Sequence, residues 1–141
     1  MTFLIDTNVI SELRKGEKAD RAVLGWISQV DEDDLYLSVL VVGEIRKGVE
    51  RVRRRDQASA QALETWLRQI TTAYAERVLP ITTEVAEVWG RLNVADPLPV
   101  VDSLLAATAQ VHGMTVATRN VIDIGRTGVP VVNPFDTSNS D

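Results

Sequence analysis

The sequence predicts an α/β fold: a central, mostly parallel β-sheet flanked by helices on both faces. Two observations lead there. Short apolar runs of strand character alternate with longer segments whose apolar residues recur every three or four positions, and Gly, Pro and Asp punctuate the junctions. Size is a third: 141 residues suffice to bury one core without staples. Residues 1–136 read as a single domain, and the polar tail 137–141 is expected to be disordered.

Phe3 to Ile5 is a short buried strand, and Asn8 is suited to cap a helix running to Leu13, because its side-chain oxygen can accept from the unpaired amides of a first turn. Val23, Trp26, Ile27 and Val30 repeat at helical spacing, and the acidic turn Asp31 to Asp34 leads into the strand Leu35 to Ser38. A long helical region follows. It is opened by Glu44, carries the basic residues of 46–55, and resumes after about Asp56 with Leu63, Trp66, Leu67 and Ile70 on one stripe. Val78 to Ile81 is a third strand, which Pro80 marks as an edge or a strand end. Val85, Val88, Trp89 and Leu92 form the next amphipathic helix. Pro97 and Pro99 then break the chain. The next helix starts near Val101, holds Asp102 in its first turn and ends at Gly113, just after His112. The strand Thr115 to Thr118, a turn from Arg119 to Asp123 and the strand Val131–Val132 complete the pattern.

Composition narrows the chemistry. The chain has no cysteine and one histidine, so thiolate sites, disulfides and histidine-rich metal centres are excluded, and any metal must be held by oxygen. Mg²⁺ comes first, with Mn²⁺ beside it. A basic leader and an apolar stretch of bilayer length are both missing, so a cytoplasmic protein with no membrane contact is expected. The net charge of -5 argues against bulk electrostatic coating of nucleic acid. Gly-rich phosphate loops are also missing. His112 reads as a helix C-terminal residue, Asp31 to Asp34 as a solvated turn, and Trp26, Trp66 and Trp89 as core or dimer packing.

In parallel sheets, ligands bind beyond the carboxyl ends of the strands. Asp6 follows the first strand, Glu44 the second and Asp123 the fourth, while Asp102 opens the helix before the fourth, so all four acids can reach one edge. Singly, each has an ordinary explanation as a helix-start or turn residue, most readily Asp102 and Asp123. Asp6 sits behind an apolar strand, and Glu44 lies among Val39 to Val42 and Ile45, which favours partial shielding of both. Gathering carboxylates in a partly dry pocket is costly until a divalent cation offsets their repulsion. A cation so held suits phosphodiester hydrolysis, because it lowers the pKa of water and stabilises charge at phosphorus.

Asp6-Thr7-Asn8-Val9-Ile10-Ser11-Glu12-Leu13, Gly43-Glu44-Ile45-Arg46-Lys47-Gly48, Asp102-Ser103-Leu104-Leu105-Ala106-Ala107-Thr108-Ala109 and Thr118-Arg119-Asn120 resemble, in order and spacing, the PIN-domain toxins of the VapC family. The resemblance spans essentially the whole chain. It implies a PIN fold, a divalent-metal endoribonuclease leaving a 5′-phosphate and a 3′-hydroxyl, a structured RNA such as transfer RNA as substrate, a VapB-like antitoxin partner and a homodimer. DNA would be met only through the antitoxin. It places the acidic quartet on Asp6, Glu44, Asp102 and Asp123, the first three as metal ligands, with Thr7, Asn8, Thr118 and Asn120 in support. The family often has an aromatic residue after the fourth acid; here Ile124 and Gly125 follow Asp123.

One strip of the chain is basic: Arg46, Lys47, Arg51, Arg53, Arg54 and Arg55 stand against Glu50 alone. On a helix Glu44, Gly48, Arg51 and Arg55 fall near one face, so Arg46, Arg51, Arg54 and Arg55 are candidates for RNA or antitoxin contact, with Gly48 leaving clearance. Equally, the arginines can simply solubilise the chain or pair with acids of helix 59–70. Two other functional classes compete with the enzyme. One is a regulatory partner that mainly dimerises within an operator-binding complex. The other is a receiver-type phosphoacceptor, disfavoured because one acid rather than a pair is associated with the first strand and no Lys ends the fourth.

Overall fold

The computed structural model describes residues 1–92 and 98–137. Pro97 and the tail residues 138–141 lie outside the described residues. Five strands form one sheet: β1 (Phe3–Ile5), β2 (Leu35–Ser38), β3 (Val78–Leu79), β4 (Thr115–Ala117) and β5 (Val131–Val132). Their spatial order is β3-β2-β1-β4-β5, and every pairing is parallel. The helices are α1 (Thr7–Leu13), α2 (Arg21–Ser28), α3 (Val39–Arg53), α4 (Gln57–Ala73), α5 (Thr83–Leu92), α6 (Val100–His112) and α7 (Val121–Gly125).

The order of the strands fixes where the helices go. The chain runs outward from β1 through β2 to β3, then returns to the other side of β1 for β4 and β5. Right-handed crossovers therefore put α1 to α4 on one face and α5 to α7 on the other. The packing agrees: α1 meets α2 and α3, and α3 meets α4, whereas α5 meets α6 and α6 meets α7. Covered on both faces, Leu4, Ile5, Leu37 and Val116 are fully buried, as apolar strands of a parallel sheet should be. Val9, Val23, Val41 and Val49 are fully buried from the first helical layer, and Leu105, Ala106 and Ala109 from the second. The alanines of α6 let that helix lie close to its neighbours.

Several boundaries differ from the sequence reading, each for a local reason. Asp6, not Asn8, caps α1, since the helix begins directly at the strand's end. Ser38 caps α3 through the Leu40 amide, so Glu44 lies in the second turn rather than opening the helix. The third strand ends at Leu79, before Pro80, which has no amide to give a ladder. That strand is the sheet's edge, as the proline indicated. The segment read as a turn up to Asp123 winds into α7. Arg55 lies beyond the end of α3, where Asp56 already caps α4.

Candidate active site

Strand β1 is flanked by β2 on one side and β4 on the other, and the chain's direction across the sheet reverses between β1 and β4. A crevice therefore opens beyond their carboxyl ends. Register does the rest. Ile5 pairs with Ala117, so the next residues, Asp6 and Thr118, emerge side by side from strands 112 residues apart in sequence.

Asp6 is buried, 6% exposed, and every contact it makes supports its carboxylate. Oδ1 accepts the Thr7 amide at 2.7 Å. Oδ2 accepts the Thr118 hydroxyl at 2.8 Å and the Asn8 side-chain amide at 3.4 Å. Burial nonetheless raises its pKa above the ordinary value; the nearby Glu44 charge adds to the rise, and the bonds from Thr118, Thr7 and Asn8 oppose it. The Thr118 oxygen in turn accepts the Asn120 amide at 2.9 Å, and Asn120 Nδ2 donates to Asp102 Oδ2 at 2.8 Å. One chain of bonds thus links Asp6 to Asp102. Asp102 also has a raised pKa, first from burial and then from the charges of Asp6, Asp123 and Glu44, with the Asn120 bond lowering it. All four acids therefore act on one place.

Thr7 joins the third carboxylate to the group, its hydroxyl donating to Glu44 Oε1 at 2.7 Å. Contrary to the shielding expected from its apolar neighbours, Glu44 is exposed, because α3 turns Val41 and Ile45 inward and Glu44 to the surface. Asp123 stands apart. It faces Asp102 electrostatically, yet it is also paired with Arg126 at 3.3 Å. All four supporting residues read from the sequence, Thr7, Asn8, Thr118 and Asn120, hydrogen-bond to one of the acids. Asn8 does so from within α1, and its oxygen accepts the Arg119 amide at 3.1 Å.

The three acids Asp6, Glu44 and Asp102 line an open cavity of about 590 Å³. Ser11, Pro99, Val100 and Val101 contribute to its wall, and the sequence reading had not singled them out for that role. Ser11 had a signal: it lies four residues after Thr7, on the same face of α1. The Pro99 segment had none, since its place depends on how α6 docks. Ser103 helps fix that docking by accepting Trp89 Nε1 at 2.9 Å and donating to the backbone at the start of α6.

Among the described lining residues no Lys, Arg or His faces the cavity, so its carboxylates lack a positive neighbour there. Asp102 Oδ1 and Glu44 Oε2 accept no hydrogen bond among the described residues. The donors are all hard oxygens, which fits Mg²⁺ or Mn²⁺. No three acidic or histidine side chains among the described residues form a ready-made cage. Mg²⁺ does not need one, as it takes one or two carboxylates and keeps several waters.

Residues 3–124 match the PIN domain. The chain is 35% identical to VapC ribonuclease Y4jK of Sinorhizobium fredii, over 95% of this chain and 98% of that one. It is 32% identical to toxin FitB of Neisseria gonorrhoeae, over 94% and 98% of the two chains. The solved structure of FitAB bound to an IR36 DNA fragment superposes with a TM-score of 0.85 at 31% identity, covering 96% of each chain.

Proposed function

The chain belongs to the PIN-domain family, among the VapC-type toxins, and from that premise we propose that it is an endoribonuclease, the toxin of a type II toxin–antitoxin pair. It hydrolyses RNA phosphodiesters, in a structured RNA such as transfer RNA, using Mg²⁺ or Mn²⁺ held by Asp6 and Asp102 with Glu44. The observation that carries this reading is the cavity itself: three carboxylates, two with raised pKa, around a space with no basic side chain among its described lining residues. The bound cation supplies the positive charge that lowers the pKa of water and offsets charge developing at phosphorus.

The protein's own residues orient that chemistry. Thr118 and the Thr7 amide fix Asp6, and Asn120 fixes Asp102, so neither carboxylate must reorganise when substrate arrives. Asp123 adds negative potential from the rim. A homodimer and a VapB-like antitoxin complete the assembly, with DNA met only through the antitoxin, in keeping with the chain's net charge of -5.

The test is an antitoxin-free preparation incubated with total RNA, with Mg²⁺ or Mn²⁺ and then with chelator, beside Asp6→Ala. Cleavage should require the cation and vanish in the variant. Metal-independent cleavage, or equal cleavage by the variant, overturns the mechanism. The DNA-bound FitAB relative favours a second, regulatory reading, in which this chain mainly lends dimerisation to an operator-binding complex. That reading expects no cleavage of any RNA.

A further inference from the structure

We infer that Lys47, Arg51 and Arg54 form a phosphate-holding stripe along α3 that carries an RNA strand away from the acid-lined cavity, an inference that rests on the ribonuclease reading above. The structure divides the basic strip into two sets. Arg46 donates to Glu50 at 3.1 Å and to Glu64 of α4 at 2.6 Å. Arg53 bonds Glu50 at 3.1 Å and lies 3.3 Å from Glu64. These two arginines are engaged in joining α3 to α4. Gly48 faces the same neighbour, as a Cβ there would come within 4.0 Å of Leu63 Cδ2, so it packs helices rather than clearing a track.

Lys47, Arg51 and Arg54 are exposed and take part in no ion pair among the described residues. They are three and four positions apart, hence neighbours on the helix surface, where like charges repel. Glu50, the acid within reach along α3, has turned its carboxylate to Arg46 and Arg53. Together with Glu50 and Arg53, the three cations line an open groove of about 610 Å³. A cationic groove whose charges are not matched from within the chain fits an external polyanion.

Its direction ties it to the site. Arg51 follows Glu44 by seven residues, close to two turns, so it stands on the same side of α3 and roughly 10 Å further along the axis. Lys47 and Arg54 flank it at the same spacing. About 10 Å is the length of roughly three stacked nucleotides at ~3.4 Å each along one strand. A phosphate at the carboxylates therefore leaves its neighbours within reach of the stripe. The acidic remainder of the chain repels RNA elsewhere, which confines the strand to this side.

The full chain, freed of antitoxin, is titrated with a fluorescein-labelled twelve-nucleotide single-stranded RNA of mixed sequence, in chelator, across a fourfold range of salt. In K47Q/R51Q/R54Q the slope of log affinity against log salt should flatten by about 2, roughly a 15- to 20-fold smaller loss of affinity over that range. R51Q alone should flatten it by about 0.7, with the wild-type circular dichroism spectrum. R46Q/R53Q removes two charges from the same helix and should leave the slope at the wild-type value. No flattening in the triple variant, or equal flattening in R46Q/R53Q, overturns the stripe. So does a triple variant that binds RNA normally but no longer holds purified antitoxin, which would make the stripe a protein-docking surface. A wild type that shows the slope difference yet cleaves nothing with Mg²⁺ supports the stripe and overturns the ribonuclease reading.

Discussion

The acid-lined cavity and the basic stripe are opposites in construction as well as in charge. The cavity is assembled from β1, α1, α3, the start of α6 and the segment after β4, and its carboxylates are tied by bonds as distant in sequence as Thr118 to Asp6. The stripe comes from a single helix, and its members hold no internal partners among the described residues. The first is preorganised and costly to alter. The second is local, solvated and tolerant. Where charge must be held at a fixed position in a partly dry place, the protein spends long-range contacts on it; where charge only has to attract a flexible chain, helical spacing is enough.

The sharpest way to break this contrast is within the cavity. Asp102→Asn should lower RNA cleavage by at least 10²- to 10³-fold, the range seen when one electrostatic group leaves an active site. Glu44→Gln, at an exposed carboxylate held through one hydroxyl, should cost less. A single-turnover assay on one RNA ranks them; equal losses would remove the distinction between fixed and tethered acids.

Thr118→Val probes the tie rather than the ligand. It takes a hydrogen bond from Asp6 and an acceptor from the Asn120 amide. Activity or metal affinity should fall about 10- to 100-fold. Loss of the buried bond should also lower stability by about 1–3 kcal/mol. Denaturant unfolding beside the activity assay checks both. Unchanged activity with the stability loss would mean that the network only supports the fold.

The smallest expected effect concerns pH. Asp6 and Asp102 both have pKa values raised above the ordinary 3.8. An acid whose folded pKa exceeds its unfolded one binds its proton more tightly when folded. Metal-free stability from these groups is therefore greatest below the unfolded value and declines as pH rises through the raised ones. A divalent cation binds the deprotonated site and reverses this. Mg²⁺ at a hundred times its dissociation constant should stabilise the protein by about 2.7 kcal/mol at neutral pH, and the gain should shrink as pH falls through the raised values. Thermal melts with Mg²⁺ and with chelator at several pH values, beside Asp102→Asn, measure it. A gain that does not depend on pH, or that persists in the variant, would separate the cation from these carboxylates.

Alternating strand and helix patterns, the absence of cysteine and the single histidine were enough to predict a parallel α/β sheet with an oxygen-only site at its carboxyl edge. Those properties depend on residue type and on periods of two and 3.6, which a linear chain displays openly. The motifs also named the four acids and the polar residues that bond them. They misjudged Asn8 as a cap and Glu44 as a helix opener because capping depends on the residue at which the backbone turns. For Asp6 and Ser38, that is where the strand ends and the helix begins. Which arginines of α3 are already paired was equally illegible. Arg46 and Arg51 have similar local sequence surroundings, and only the docking of α4, which brings Glu64 against Arg46 and Arg53, tells them apart. Sequence alone determined what chemistry the chain can do and at which edge. Tertiary structure decided which groups are fixed, which are occupied and which face outward, because ion pairs and burial are set by distances between elements that the order of residues does not contain.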